Sequence, residues 1–289
     1  MSSNISANTL FHFTSKIENL KSILSTGFYS RYCIENYEEA FENGFELAIP
    51  MVCFCDIPIS NAKTHSSNYG KYAIGLTKRW GMENGLSPVI YTYPNALTSE
   101  MLATVQSKIK DYFDKTISKV VEIKGKKNEF ESAEIEQAFK SNFNHIVEMA
   151  DHATETYENL SSFFKFLKPY EGNIISNEDS SLKKVRFYEE REWRFIPDKF
   201  TIKNAKVDSM IPGFVCKNPV IRRALNIKIA THTKLKFRPN DILFIIVKND
   251  TEIPEMISFI EDVLKGNPKD EIKLLCTRLI SLEHIIENI

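Results

Sequence analysis

The sequence predicts an α+β fold, and three features carry that expectation. A short extended run opens the chain and leads at once into a helix with start and stop signals. Several β-like segments rich in aromatic and β-branched residues follow before residue 94. From about Thr98 to Leu167 glycine is nearly absent, proline is missing, and apolar residues recur three and four apart, so long helices interrupt the β segments.

Taken in order, Leu10-Phe11-His12-Phe13 reads as the first strand. Ser15-Lys16-Ile17-Glu18 fits a capping box, in which the Ser15 hydroxyl takes a first-turn N–H and Glu18 reaches back. Ile17, Leu20, Ile23 and Leu24 recur at helical spacing, and Gly27 is placed to end the helix. His12 therefore stands at a strand-to-helix turn, where side chains often face a pocket.

Residues 49–60 read as a second strand, with Met51-Val52-Cys53-Phe54-Cys55 at its centre and Asp56-Ile57-Pro58 at its end. A polar loop holding His65, Ser66, Ser67 and Asn68 is expected next. Tyr69 to Leu76 and Val89 to Tyr93 supply further strands. In the helical stretch Val105, Ile109, Phe113, Ile117 and Val120 mark one apolar stripe, and Ile135, Phe139, Phe143, Ile146 and Met149 another. Gly125-Lys126-Lys127-Asn128 separates them. After Lys168-Pro169-Tyr170, strands are expected at Phe187–Ile196, Ile242–Val247 and Ile272–Leu275, with a helix from Pro254 to Leu264. The expected organisation is an α+β core over residues 1–97 and 168–289, split by a helical insertion over 98–167.

Composition narrows function. The chain has 289 residues, 43% hydrophobic and 26% charged, a globular balance. Thirty-seven basic residues against 38 acidic ones set up no global field for nucleic acid or anionic lipid. No GxGxxG or GxxxxGK[ST] occurs, which disfavours a Rossmann site or a P-loop. The longest apolar run, Ile242 to Val247, is far short of the ~20 residues of a membrane span. The opening residues lack the pattern of a signal peptide, and five cysteines do not form a disulfide framework. A cytoplasmic protein away from membranes is expected.

The densest polar constellation is Tyr188-Glu189-Glu190-Arg191-Glu192-Trp193-Arg194-Phe195. On a strand, Tyr188, Glu190, Glu192 and Arg194 would share one face, with the two carboxylates ~6.6 Å apart. Like charges raise each other's pKa while Arg194 opposes that, so the pair could differ in protonation. Two such carboxylates suit glycosidic-bond chemistry. The alternative, which charge patterning alone favours, is a solvated strand face laced with ion pairs. His12 could equally be a core histidine between Phe11 and Phe13, and Tyr69 and Tyr72 could be strand aromatics. Cys53, Cys55 and His65 could supply three metal ligands, but a fourth is missing and buried thiols explain the pair more simply.

Leu10-Phe11-His12-Phe13-Thr14, Leu20-Lys21-Ser22-Ile23-Leu24 and Gly27-Phe28 resemble the opening of ADP-ribosyltransferase-like families such as the DarT-type DNA ADP-ribosyltransferases. The fuller pattern is closer to the AbiGi family of abortive-infection, phage-resistance proteins. It includes Val52 to Pro58, Tyr69 to Leu76, Pro88 to Tyr91, Lys168 to Gly172, Phe187 to Pro197 and Asp241 to Lys248. The resemblance implies an antitoxin-like member of a two-gene system, with a cognate toxin protein as partner. It also implies an ADP-ribosyltransferase-like mixed β core that takes NAD as substrate and modifies an unidentified target. In that reading His12 binds the NAD ribose with Thr14 beside it, and Tyr69 or Tyr72 stacks on the nicotinamide. Glu192 stabilises the cation as nicotinamide leaves, and Glu190 directs the acceptor. The competing reading is a non-catalytic antitoxin whose helical insertion offers the partner surface. Lys124-Gly125-Lys126-Lys127 and Arg222-Arg223 are small basic clusters that leave nucleic-acid binding open without global charge to support it.

Overall fold

The computed structural model describes residues 8–41, 44–125, 133–175 and 181–288. The strands are β1 (Thr9–Thr14), β2 (Arg31–Asn36), β3 (Glu46–Cys55), β4 (Tyr72–Thr77), β5 (Ser87–Pro88), β6 (Ile90–Thr92), β7 (Leu167–Pro169), β8 (Gly172–Ile175), β9 (Leu182–Val185), β10 (Glu192–Phe195), β11 (Ile211–Pro212), β12 (Ile242–Val247) and β13 (Leu279–Ser281). The helices are α1 (Ile17–Thr26), α2 (Ala62–Tyr69), α3 (Lys78–Glu83), α4 (Leu97–Gly125), α5 (Ala133–Phe163), α6 (Lys199–Ala205), α7 (Gly213–Lys217), α8 (Pro219–Ala230), α9 (Ile253–Val263), α10 (Lys269–Cys276) and α11 (Leu282–Asn288). The chain divides into two compact units, 1–91 with 168–289, and 92–167.

In the first unit a mixed sheet runs β13-β12-β4-β1-β3-β10-β5, with β2 and β11 also pairing with β3. β1 lies antiparallel to β4, pairing His12 with Ile74 and Thr14 with Tyr72. β10 lies antiparallel to β3, pairing Glu192 with Cys55 and Arg194 with Cys53. The parallel β12–β13 pair makes the sheet mixed. A core of Leu10, Leu20, Phe54, Ile74, Trp80, Ile245 and Met256 packs on one side. A smaller cluster of Phe11, Ile57, Ala73, Ile246 and Leu282 lies on the other, as the two-residue alternation of β1, β4 and β12 requires.

Gly27 ends α1 as expected, at φ 82, its N–H donating to the Ile23 carbonyl. The capping box does not form. Lys16 takes the N-cap position with no side-chain cap, and Thr14 instead accepts from Asn19 at 2.9 Å. The polar stretch expected as a loop is α2, whose buried face is Ala62, His65 and Ser66. Ile272–Leu275, expected as a strand, lies within α10. Tyr69 therefore ends a helix rather than starting a strand.

The second unit contains α4 and α5, with Phe113 stacked on Tyr157 at a 5.3 Å centroid distance. Thr116, Val120, Ala150 and Ala153 are buried, while Val105 and Met149 of the expected stripes are exposed. The Lys126–Asn128 interruption and most of the Lys124–Lys127 basic cluster lie outside the described residues.

Candidate functional site

Five charged residues form one buried cluster around the β3–β10 pair. The strand expected across Phe187–Ile196 begins only at Glu192. Phe187–Glu190 form a 3-10 turn, and Arg191 turns the chain at φ 46. A side chain with a Cβ in that left-handed region costs on the order of 1–3 kcal/mol, so the surrounding contacts must hold it there. Here they do: the Arg191 carbonyl accepts from the Asp56 N–H at 3.1 Å. The consequence is that Glu190 and Glu192 converge on one cation rather than lining one strand face. Lys168 donates to Glu190 Oε2 at 2.9 Å and also to Glu192 Oε2.

Each carboxylate oxygen of the pair has at least one donor. Arg194 Nε donates to Glu192 Oε1 at 2.6 Å, and its Nη2 donates to Glu35 Oε2 at 2.7 Å. The Tyr69 hydroxyl donates to Glu190 Oε1. The Tyr91 hydroxyl accepts from the Glu192 backbone N–H at 2.8 Å. Arg194 is fully buried, and Glu190, Glu192 and Lys168 are each less than a tenth exposed.

Electrostatics follow from the geometry. Burial alone would raise the Glu192 pKa, but the Arg194 guanidinium and Lys168 ammonium reverse that and hold it well below the carboxylate range. Burial would lower the Lys168 pKa, and Glu192, Glu190 and Glu35 together push it well above the usual value. Burial and the adjacent Glu190 push Tyr69 up, so it stays a neutral donor. The cluster is thus a set of fixed charges, each answered by its neighbour.

His12 and Thr14 occupy a different place. They line a cavity of about 280 Å³ with Asn19, Ser22, Arg31, Cys33 and Cys53. His12 Nδ1 donates to the Cys53 carbonyl at 2.8 Å, and its ring meets Phe28 edge-on at 5.1 Å. Burial lowers its pKa, so the ring is neutral. Tyr69, Tyr72, Glu190 and Glu192 are not among the cavity's lining residues. The Tyr72 hydroxyl points to Glu252, donating at 2.9 Å, and its pKa is pushed up to about 12 by burial and that carboxylate. The structure therefore brings Tyr69, Glu190 and Glu192 together, brings His12 and Thr14 together, and leaves Tyr72 apart.

Cys53 and Cys55 do not gather with His65 into a metal site. Among the described residues no group of three His, Cys, Asp or Glu could hold a metal ion. Cys53 instead lines the same cavity as Cys33, whose thiol donates to the Arg31 carbonyl at 3.5 Å.

Sequence reasoning missed Lys168, Glu35, Tyr91 and Cys33. Lys168 carried a usable signal, a lysine framed by Leu167 and Pro169 where a buried short strand runs. A cation in so apolar a setting needs carboxylates. Glu35 and Tyr91 become neighbours of Glu192 only through the sheet.

A family model described as "Putative abortive phage resistance protein AbiGi, antitoxin" matches residues 26–248. A curated relative from Lactococcus lactis subsp. cremoris, "Abortive phage resistance protein AbiGi", is 28% identical over 260 residues, covering 84% of this chain and 90% of the relative. No solved structure matches significantly. Among the described residues no helix is long and apolar enough to cross a membrane.

Proposed function

The chain belongs to the AbiGi family of abortive phage resistance proteins, and from that premise we propose that it is an antitoxin that neutralises a cognate toxin by direct binding. The observation that carries this reading is the closed charge cluster. Each oxygen of Glu190 and Glu192 has a donor among Lys168, Arg194 and Tyr69, and both carboxylates are buried. Such a cluster orders a scaffold: its carboxylates pair with the protein's own cations, and neither is among the residues that line the His12 cavity. The antitoxin description of the family model supports the same conclusion. The test is a pull-down and a growth assay with the toxin of the same locus. The wild-type chain should form a stable complex and restore growth, and His12→Ala should do both equally well.

A second reading, an ADP-ribosyltransferase consuming NAD, draws on the cavity where His12 and Thr14 stand with Asn19 and Ser22. Its fold would be ADP-ribosyltransferase-like and its acceptor a separate target. The experiment is nicotinamide release from NAD by the purified chain, with and without phage-infected lysate. Release that His12→Ala abolishes, with the fold intact by circular dichroism, would establish this reading and displace the first.

A further inference from the structure

The net charge of −1 conceals a strong asymmetry. Between Asp198 and Asp241 stand ten lysines and arginines against one acid, Asp208. All ten are exposed. This segment folds into α6, α7, α8 and the run leading to β12. Where α8 approaches the start of β2, a groove of about 450 Å³ is lined by Tyr29, Arg31, Arg222, Arg223, Asn226 and Ile227, among others. Arg31, Arg222 and Arg223 have no carboxylate within ion-pair distance among the described residues. That sets them apart from Lys78, Lys168 and Arg194, which the fold itself neutralises.

Three unanswered guanidiniums around one groove call for an external anion, and their planar donor forks suit phosphate oxygens. The groove shares Tyr29 and Arg31 with the His12 cavity, so the two adjoin. Further exposed lysines stand on the same segment, Lys228 on α8 itself, and a polymer can use them where a single phosphate cannot. Phe200 and Phe214, both more than 70% exposed, add rings on which unstacked bases can lie. We propose that the groove at Arg31, Arg222 and Arg223 binds the phosphate backbone of a single-stranded nucleic acid. The strand's phosphates pair with the guanidiniums while flanking lysines release counterions, so binding tolerates sequence and weakens with salt.

The test uses the full chain and a fluorescein-labelled, mixed-sequence single-stranded RNA of about 20 nucleotides, with the matching DNA as a second probe. Anisotropy should show binding that falls linearly on a log–log salt plot. Arg222→Glu with Arg223→Glu should weaken it about tenfold or more and flatten the salt slope. Lys110→Glu with Lys115→Glu, on exposed lysines of α4, should leave it unchanged. Circular dichroism and thermal midpoints establish that each variant folds. Absence of binding by the wild type, or an unchanged affinity in the arginine pair variant, would overturn the proposal. So would inorganic pyrophosphate competing as strongly per mole as the RNA, which marks a small-phosphate site. Poly-glutamate competing as strongly as RNA would overturn it too, marking a surface for an acidic protein.

Discussion

Arg194 of β10 reaches Glu35 of β2 at 2.7 Å, joining two strands that never pair with each other, each bound instead to β3. The link closes a chain of charge running Tyr69, Glu190, Lys168, Glu192, Arg194, Glu35, so the buried cluster spans three strands and a helix end.

Removing the central cation should be costly. Lys168→Met leaves Glu190 and Glu192 buried against each other without their shared partner, and breaking such a pair costs about 3–5 kcal/mol. Urea unfolding should show a loss of that size. Glu35→Gln should cost less, because Glu35 lies nearer solvent and water can stand in for its oxygens. Equal losses would mean that Lys168 is no more central to the cluster than Glu35.

The depressed pKa of Glu192 has a definite sign. Its folded value lies below the ~4.3 of an unfolded glutamate, so its contribution is fully present above that value and is lost as pH falls through the folded one. Stability measured from pH 6 down to 2 should decline in this window, and Glu192→Gln should flatten the acid limb while lowering the plateau. An acid limb of unchanged slope would show that Glu192 is not held ionised.

His65 predicts a second limb at higher pH. Burial, and then the Lys168 charge, push its pKa down to about 4, and its ring lies between Phe13 and Tyr69. Between about 6.5 and 4 the unfolded chain binds a proton that the folded chain refuses, so stability is full above 6.5 and falls as pH drops. The loss across the window is on the order of 3 kcal/mol. His65→Phe keeps the packing and should remove this slope; a retained slope would assign it to another group.

These residues also show which parts of the fold were legible. Ile17, Leu20, Ile23 and Leu24 announced α1 through their helical spacing, and Ile242–Val247 announced β12 as a short continuous apolar run. The face that α2 buries is Ala62, His65 and Ser66, which hydrophobic spacing cannot register, so it read as loop. Ile272 and Leu275 stand three apart and are both buried, a helical interval that a strand assignment overlooked. The Glu190–Glu192 pairing was legible as a pair but not as a geometry, since an arginine at left-handed φ between them carries no sequence mark. Arg194 was legible beside them, two residues from Glu192, whereas Lys168 and Glu35 become partners only through the fold.

Gly70 should resist substitution. Its φ is +118, and a Cβ there would stand 2.3 Å from the Thr14 carbonyl oxygen and 2.5 Å from Ser15 Cα. Gly70→Ala must therefore move the end of β1 away from the start of β4, at more than the ~1 kcal/mol of a tolerated glycine change. Gly85→Ala, also at positive φ but with open space around it, meets no such obstacle and should cost less. A thermal-denaturation comparison of the two variants separates steric clash from backbone preference; equal losses would remove the clash from the account.

The five cysteines should differ sharply in reactivity. The thiolate is the nucleophile, so labelling follows pKa and access. A hydrogen bond from Cys53 favours the Cys33 thiolate and, with help from Arg194, outweighs burial and the repulsion of Glu35 and Glu192, so its pKa is lowered. The same pairing, with burial, pushes Cys53 up, while burial does the same to Cys55, Cys216 and Cys276. Cys33 also lines the His12 cavity, which gives small reagents a route to it. Limited iodoacetamide at neutral pH, read by peptide mass spectrometry, should modify Cys33 ahead of the other four. Cys53→Ala removes the donor without removing the nucleophile, so it should slow labelling of Cys33. Faster or unchanged labelling would show that access, rather than the neighbouring thiol, sets its reactivity.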